Sequence, residues 1–137
     1  MKKLISVLFV LFTYFSFSQT PIDDSNIHSA VDSWSSSPTS AEATYGHIST
    51  WDTSNVTDMS NLFYPFYSEF NEDISGWDVS NVTTMFQMFR SLEPFNQDIG
   101  GWDVSSVTTM EGMFYNAKDF NQPLNDWDVS NVTNMSD

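Results

Sequence analysis

The sequence predicts an α/β solenoid with a period of about 25 residues, short parallel strands on one side and short helices on the other, closed by a helical N-terminal cap. Tryptophan recurs at Trp51, Trp77, Trp102 and Trp127, at intervals of 26, 25 and 25 residues. Each opens the same phrase: WDTSNVTDM, WDVSNVTTM, WDVSSVTTM and WDVSNVTNM. Phe70, Phe95 and Phe120 recur in step, each followed by asparagine (Asn71, Asn96, Asn121). A unit of this length cannot enclose a core of its own, so neighbouring copies must bury one another's apolar faces. One irregularity in length falls between Phe63 and Phe70, where Tyr64-Pro65-Phe66-Tyr67 reads as a loop insertion.

Taken in order, residues 1–18 read as a secretory signal. Lys2 and Lys3 form the charged end, Leu4 to Phe15 the apolar run, and Ser16-Phe17-Ser18 a small-x-small cleavage site. The apolar run is too short and too close to the terminus for a membrane span. Residues 19–46 read as the cap. Asp24-Ser25 precede Ile27, Ala30, Val31 and Trp34, a one-faced helical pattern with N-capping residues in front of it. Pro38 breaks that pattern, and a second short helix through Ala41, Ala43 and Tyr45 ends at Gly46.

Residues 47–137 read as the repeats, starting at Ile48, Ile74, Ile99 and Leu124. Trp77 and Val79 lie two apart, so on an extended strand they share the core face while Asp78 takes the other. Val82, Met85, Met88 and Phe89 are spaced by three and four, which predicts a short helix or helical turn, with Ser80, Asn81 and Thr83 placed to cap it. A Trp–Met–Phe stripe can line a ligand groove, but stacked repeats need internal apolar ladders in any case, and the tryptophans are read as such a ladder. The last repeat stops at Asp137, before its Met–Phe half. The expectation is a fragment, or an open end that something else covers, with self-association through that end one way to cover its unpaired edge.

Charge narrows the partners. Outside residues 1–18 only Arg90 and Lys118 stand against 18 acidic residues. Such a surface repels phosphate backbones and anionic headgroups, which argues against nucleic-acid binding and against membrane association once the signal is cleaved. Cysteine is absent, so there are neither disulfides nor a lipid-attachment cysteine.

The phrases SAVDSW…AEATYGHISTWDTSNVTDMSNLF and FNQDIGGWDVSSVTTMEGMF resemble the BspA-like leucine-rich-repeat surface proteins of bacteria, over essentially Asn26 to Asp137. The resemblance implies a leucine-rich-repeat-like fold, export or surface display, and adhesion to other cells. Trp, Met and Phe hold many positions that leucine occupies in standard repeats of that kind. The resemblance brings no catalytic motif.

Asp52, Asp78, Asp103 and Asp128 are the candidate binding residues. If the strand alternation holds, their carboxylates point away from the core on consecutive repeats, and stacked like charges cost energy unless hydrated or matched. Two uses follow, a bound Ca²⁺ or a Lys/Arg-rich partner. The structural alternative is that each aspartate binds its local Ser/Asn turn. The Gly-Gly-x-Gly-x-Asp calcium pattern is missing, since Gly100-Gly101-Trp102-Asp103 does not match it.

Catalysis is not expected. His28 and His47 are the only histidines, neither belongs to a metal-ligand pattern, and the serine-rich stretches hold no nucleophile elbow. Asn55, Asn81, Asn131 and Asn134 match the glycosylation sequon, but the bacterial-looking signal favours a structural role for them. The sequence therefore predicts a secreted or surface-displayed, non-enzymatic adhesion module for a protein or glycan. The alternatives are an architectural spacer or cap of a larger surface protein and, behind it, a secreted hydrolase.

Overall fold

A computed structural model describes residues 19–64 and 69–136. The expected secretory signal, residues 1–18, lies outside the described residues, as do 65–68 of the expected insertion. Two α-helices lead the chain, α1 at Ile27–Ser36 and α2 at Pro38–Tyr45, followed by a single 3-10 turn at Ile48–Thr50. Helix α1 buries Ile27, Ala30, Val31 and Trp34, the spacing of one helical face. Its N-cap is Asn26, with no side-chain cap, and not the Asp24-Ser25 pair expected from the sequence.

The strand-and-helix solenoid, and with it the leucine-rich-repeat-like architecture, is overturned. Among the described residues there is no strand, only isolated parallel bridges, and no helix follows the 3-10 turn. From Trp51 onward each repeat is a string of β-turns, and the repeats lie against one another in a constant register.

The turns explain the apolar spacing. An i→i+3 turn brings its first and fourth residues to the same side, so apolar residues three apart need no helix to face a core together. Backbone bonds of this kind close Ile74–Trp77, Val79–Val82, Met85–Met88 and Phe89–Leu92, and again Ile99–Trp102, Val104–Val107 and Met110–Met113. In the methionine turns the third residue is left-handed: Asn61 (φ 57°), Gln87 (φ 53°) and Gly112 (φ 61°). A positive φ at that position defines a type II turn and takes the chain out of the right-handed helix. Ser91 and Asn116, both at φ 58°, do the same one turn later.

The backbone groups that a helix would use internally go to the neighbouring repeat. The Met85, Gln87 and Phe89 N–H groups donate to Thr109, Glu111 and Met113 carbonyls at 3.0, 2.9 and 2.9 Å. In the other direction Thr83, Thr108 and Thr133 N–H donate to the carbonyls of Thr57, Thr83 and Thr108 at 2.8, 2.9 and 2.9 Å. The parallel bridges Asp58↔Thr84, Thr84↔Thr109 and Thr109↔Asn134 sit in this half of the repeat, where a helix was expected.

The Trp–Asp–Val half was expected to be the strand. There side chains take over the cross-repeat contacts, which is why no ladder forms. Trp77 Nε1 donates to Ile48 O (2.8 Å), Thr53 Oγ1 to Asp78 O (2.8 Å) and Asn81 Nδ2 to Ser54 O (2.9 Å). Ser80, Asn81 and Thr83 thus serve neighbouring turns and repeats, with no helix to cap.

The core runs through the middle of the stack. Phe63, Phe89 and Phe114 form one column with ring centroids 5.5 Å apart at each step. Phe70, Phe95 and Phe120 form a second, at 6.4 and 6.0 Å. Within a repeat the columns touch at 4.4, 4.3 and 4.3 Å. These offset stacks bury large rings at each repeat and add specific aromatic contact to the area removed from water.

Candidate functional site

The predicted ladder residues take the following places. Trp51, Trp77 and Trp102 are buried and Trp127 partly so. Trp51 and Trp77 stack at 5.9 Å, and each later indole N–H reaches one repeat back, Trp102 to Ile74 O (3.3 Å) and Trp127 to Ile99 O (3.1 Å). These side chains are structural; they stack the repeats and leave no indole N–H free for a ligand.

Asp52, Asp78, Asp103 and Asp128 are exposed, one per repeat, each beside an inward tryptophan. Every one makes the same local contact. The N–H of the serine two residues on donates to Oδ1: Ser54 (3.1 Å), Ser80 (3.0 Å), Ser105 (3.0 Å) and Ser130 (3.0 Å). The Ser80 hydroxyl adds a second bond to Asp78 at 2.6 Å. These are Asx turns, which tie the side chain to its own backbone. The hydroxyl and N–H of the serine hold Asp52, Asp103 and Asp128 below the ordinary carboxylate value, and for Asp103 the charge of Asp128 acts weakly the other way.

Around the last two aspartates lies an open groove of about 520 Å³, lined by Asp98, Asp103, Asp126, Asp128, Gly100 and Pro123. A Cβ at Gly100 would lie 2.6 Å from Pro123 O, so glycine lets these repeats approach at the groove. Among the described residues, no group of three or more His, Cys, Asp or Glu is arranged to hold a metal ion. No described helix is long and apolar enough to cross a membrane. His28 and His47 are apart in role as well: His28 Nε2 contacts Ser60 O at 3.0 Å, while His47 packs edge-on against Trp34 at 4.8 Å.

The cations stand elsewhere. Arg90 lies between two rings, 5.2 Å from the centre of Tyr64 and 4.9 Å from that of Tyr115, a column running across three repeats. Lys118 pairs with Glu93 on the surface. The Tyr–Arg–Tyr column was missed in the sequence, although its spacing of 26 and 25 matches the tryptophans. A further column holds Asn71, Asn96 and Asn121. Asn96 N–H donates to Asn71 Oδ1 (3.0 Å) and Asn121 N–H to Asn96 Oδ1 (2.9 Å), with Gln97 and Gln122 amides bridging the same steps. The recurrent Phe-Asn pair was its visible signal.

Fold and site together define a turn-built repeat protein whose surface repeats one line of carboxylates. Residues 32–137 match the family described as Mycoplasma protein of unknown function, DUF285, and the chain belongs to that family, an uncharacterised bacterial repeat family. No curated protein and no solved structure matches the chain.

Proposed function

We propose that the chain is a non-enzymatic recognition module of an exported bacterial surface protein, holding a protein partner with basic side chains along its aspartate edge. The observation that carries this reading is repetition. One exposed carboxylate recurs per repeat in a fixed place, while Arg90 and Lys118 are engaged away from it. A line of like charges so placed favours an extended cationic segment over a compact small molecule. The signal-like residues 1–18 and the likeness of the WDVSNVTxM phrase to BspA-like surface proteins support export and adhesion.

Titrating a lysine-rich peptide into the purified chain by calorimetry tests it. Binding should be saturable, should weaken several-fold between low and physiological salt, and should be lost in D103N/D128N. Absence of binding at low salt overturns the reading and leaves an architectural spacer. Salt-insensitive binding of neutral oligosaccharides instead would make the partner a glycan.

A further inference from the structure

We infer that Gln19 becomes the first residue of the exported chain and closes to pyroglutamate, a lactam without a free α-amine. The inference rests on the export proposed above and adds a modification that export alone does not require.

The sequence places Gln19 directly after the small-x-small site Ser16-Phe17-Ser18. Cleavage there turns its backbone nitrogen into an α-amine, part of which is unprotonated near neutral pH. Amine and side-chain carboxamide then belong to one residue, in reach of each other. The nitrogen attacks Cδ, an N–Cδ bond forms and the Cδ–Nε2 bond breaks. Nε2 leaves as ammonia, taking the proton that the amine gives up. The step needs no oxidant, reductant or co-reactant, and as an intramolecular attack it avoids the entropy cost of bringing two molecules together.

The structure leaves this carboxamide free to be lost. Gln97 and Gln122 spend theirs on Asn71 and Asn96 one repeat back, at 2.9 and 3.0 Å. That of Gln19 makes no hydrogen bond among the described residues, so expelling ammonia breaks none. It lies on Gly46 at the end of α2, where a Cβ would come within 2.7 Å of Gln19 Cδ. Gly46, at φ 81°, thus makes room for residue 19. A recess of about 170 Å³, bounded by Pro21, Ile22, Tyr45, Thr50 and Trp51, opens beside it and gives space for the ring to close.

The backbone that follows is tied down. Thr20 N–H donates to Thr44 O at 3.0 Å, Asn26 Nδ2 to Pro21 O at 2.8 Å, and Ile22 is buried. Cyclisation leaves the Thr20 amide as it is, and its bond with it. Asp24, in the same segment, holds the first repeat through Thr57. A lactam at residue 19 removes the amine from which an aminopeptidase would shorten this segment, together with the terminal charge.

The test is mass spectrometry of the full 137-residue chain after export from a bacterial host and incubation at neutral pH. The N-terminal peptide should begin at residue 19 and weigh one ammonia less than its unmodified sequence. The chain should resist Edman degradation until pyroglutamate aminopeptidase is added. Gln19→Ala should be exported alike, carry its full mass and be open to Edman degradation. A chain that begins at Gln19 with a free amine overturns the lactam and leaves export standing, as does one that begins at another residue. A mass deficit that persists in Gln19→Ala also overturns the lactam. A chain that keeps residues 1–18 overturns the export reading and this inference with it.

Discussion

The carboxylate of Asp24 does for Thr57 what a backbone carbonyl does for every later threonine in its place. Thr83, Thr108 and Thr133 each send their N–H and hydroxyl to the carbonyl of the threonine one repeat before. Thr57 has no such repeat before it. Its N–H donates to Asp24 Oδ1 and its hydroxyl to Asp24 Oδ2, both at 2.7 Å, and the Asp58 N–H adds a third bond at 3.1 Å. An exposed edge of unpaired donors is thereby closed by one side chain.

Asp24→Ala should therefore destabilise the chain by about 1–2 kcal/mol. Hydrogen bonds to a charged acceptor contribute roughly 1.5–3 kcal/mol, here reduced because the carboxylate faces solvent. For a chain of this size that is roughly 3–6 °C in Tm. Thermal unfolding followed by circular dichroism checks it, and an unchanged Tm would remove Asp24 from the account of the edge.

The same contact sets a pH dependence. The Thr57 hydroxyl and N–H, with smaller help from Asp58 N–H and His28, hold the Asp24 carboxyl below its ordinary 3.8, against slight burial. A carboxylate depressed in the folded state contributes stability that is present above its unfolded value and lost as pH falls through the folded one. Stability should therefore fall as pH drops below about 4, and more shallowly in Asp24→Asn. Asp52, Asp73, Asp103 and Asp128 are lowered by their serine turns and act in the same direction. Tm measured from about pH 6 to about pH 2 reads both slopes.

Phe89 should be the costliest single truncation. It is 0% exposed and contacts Phe63, Phe95, Trp102 and Phe114. Phe89→Ala interrupts its own column and removes the contact with Phe95 of the second one, and should cost about 3–5 kcal/mol, while Phe89→Leu should cost about half as much. Chemical denaturation separates the two. Equal costs would mean that the apolar area leucine keeps contributes nothing and that ring-specific contact carries the whole stabilisation.

Gly112 and Gln87 occupy the same turn position with opposite chemistry. A Cβ at Gly112 would lie 3.2 Å from Gln87 Cγ, and its φ is 61°. Gly112→Ala should cost about 1–2 kcal/mol from the left-handed backbone and the crowding together. Gln87→Gly should be nearly neutral, because relief of the left-handed backbone offsets the added freedom of the unfolded chain. Paired denaturation curves test the contrast; an equal loss at both sites would contradict the turn assignment.

Much of this arrangement can be read from the residues, and the remainder fails for identifiable reasons. The tryptophan and phenylalanine periods are visible because each phenylalanine ring stacks on its counterpart one repeat away and the indole N–H groups of Trp77, Trp102 and Trp127 each reach the repeat before. The alternation Trp77-Asp78-Val79 also gives the right faces, buried, exposed and buried. It does not give a strand, because Trp77 Nε1 and Thr53 Oγ1 supply cross-repeat bonds that a ladder would take from the backbone. The spacing Val82, Met85, Met88 fits a helix and a chain of turns equally well. Nothing in Gln87 as a residue announces a φ of 53°; its counterparts Asn61 and Gly112 hint at it. In the aspartate ladder the serine two residues on was legible as a turn partner. The Tyr64–Arg90–Tyr115 column was not, because its members differ in type from repeat to repeat.

The central claim is that consecutive repeats are joined by backbone hydrogen bonds about 25 residues apart, with no helix between Val82 and Leu92. Scalar couplings transmitted across hydrogen bonds in a ¹⁵N,¹³C-labelled sample test it most directly. The account predicts couplings from Thr83 N to Thr57 carbonyl, from Thr108 N to Thr83 carbonyl and from Met85 N to Thr109 carbonyl. Couplings from Met88 or Phe89 N to the carbonyl four residues earlier, with none across repeats, would contradict it.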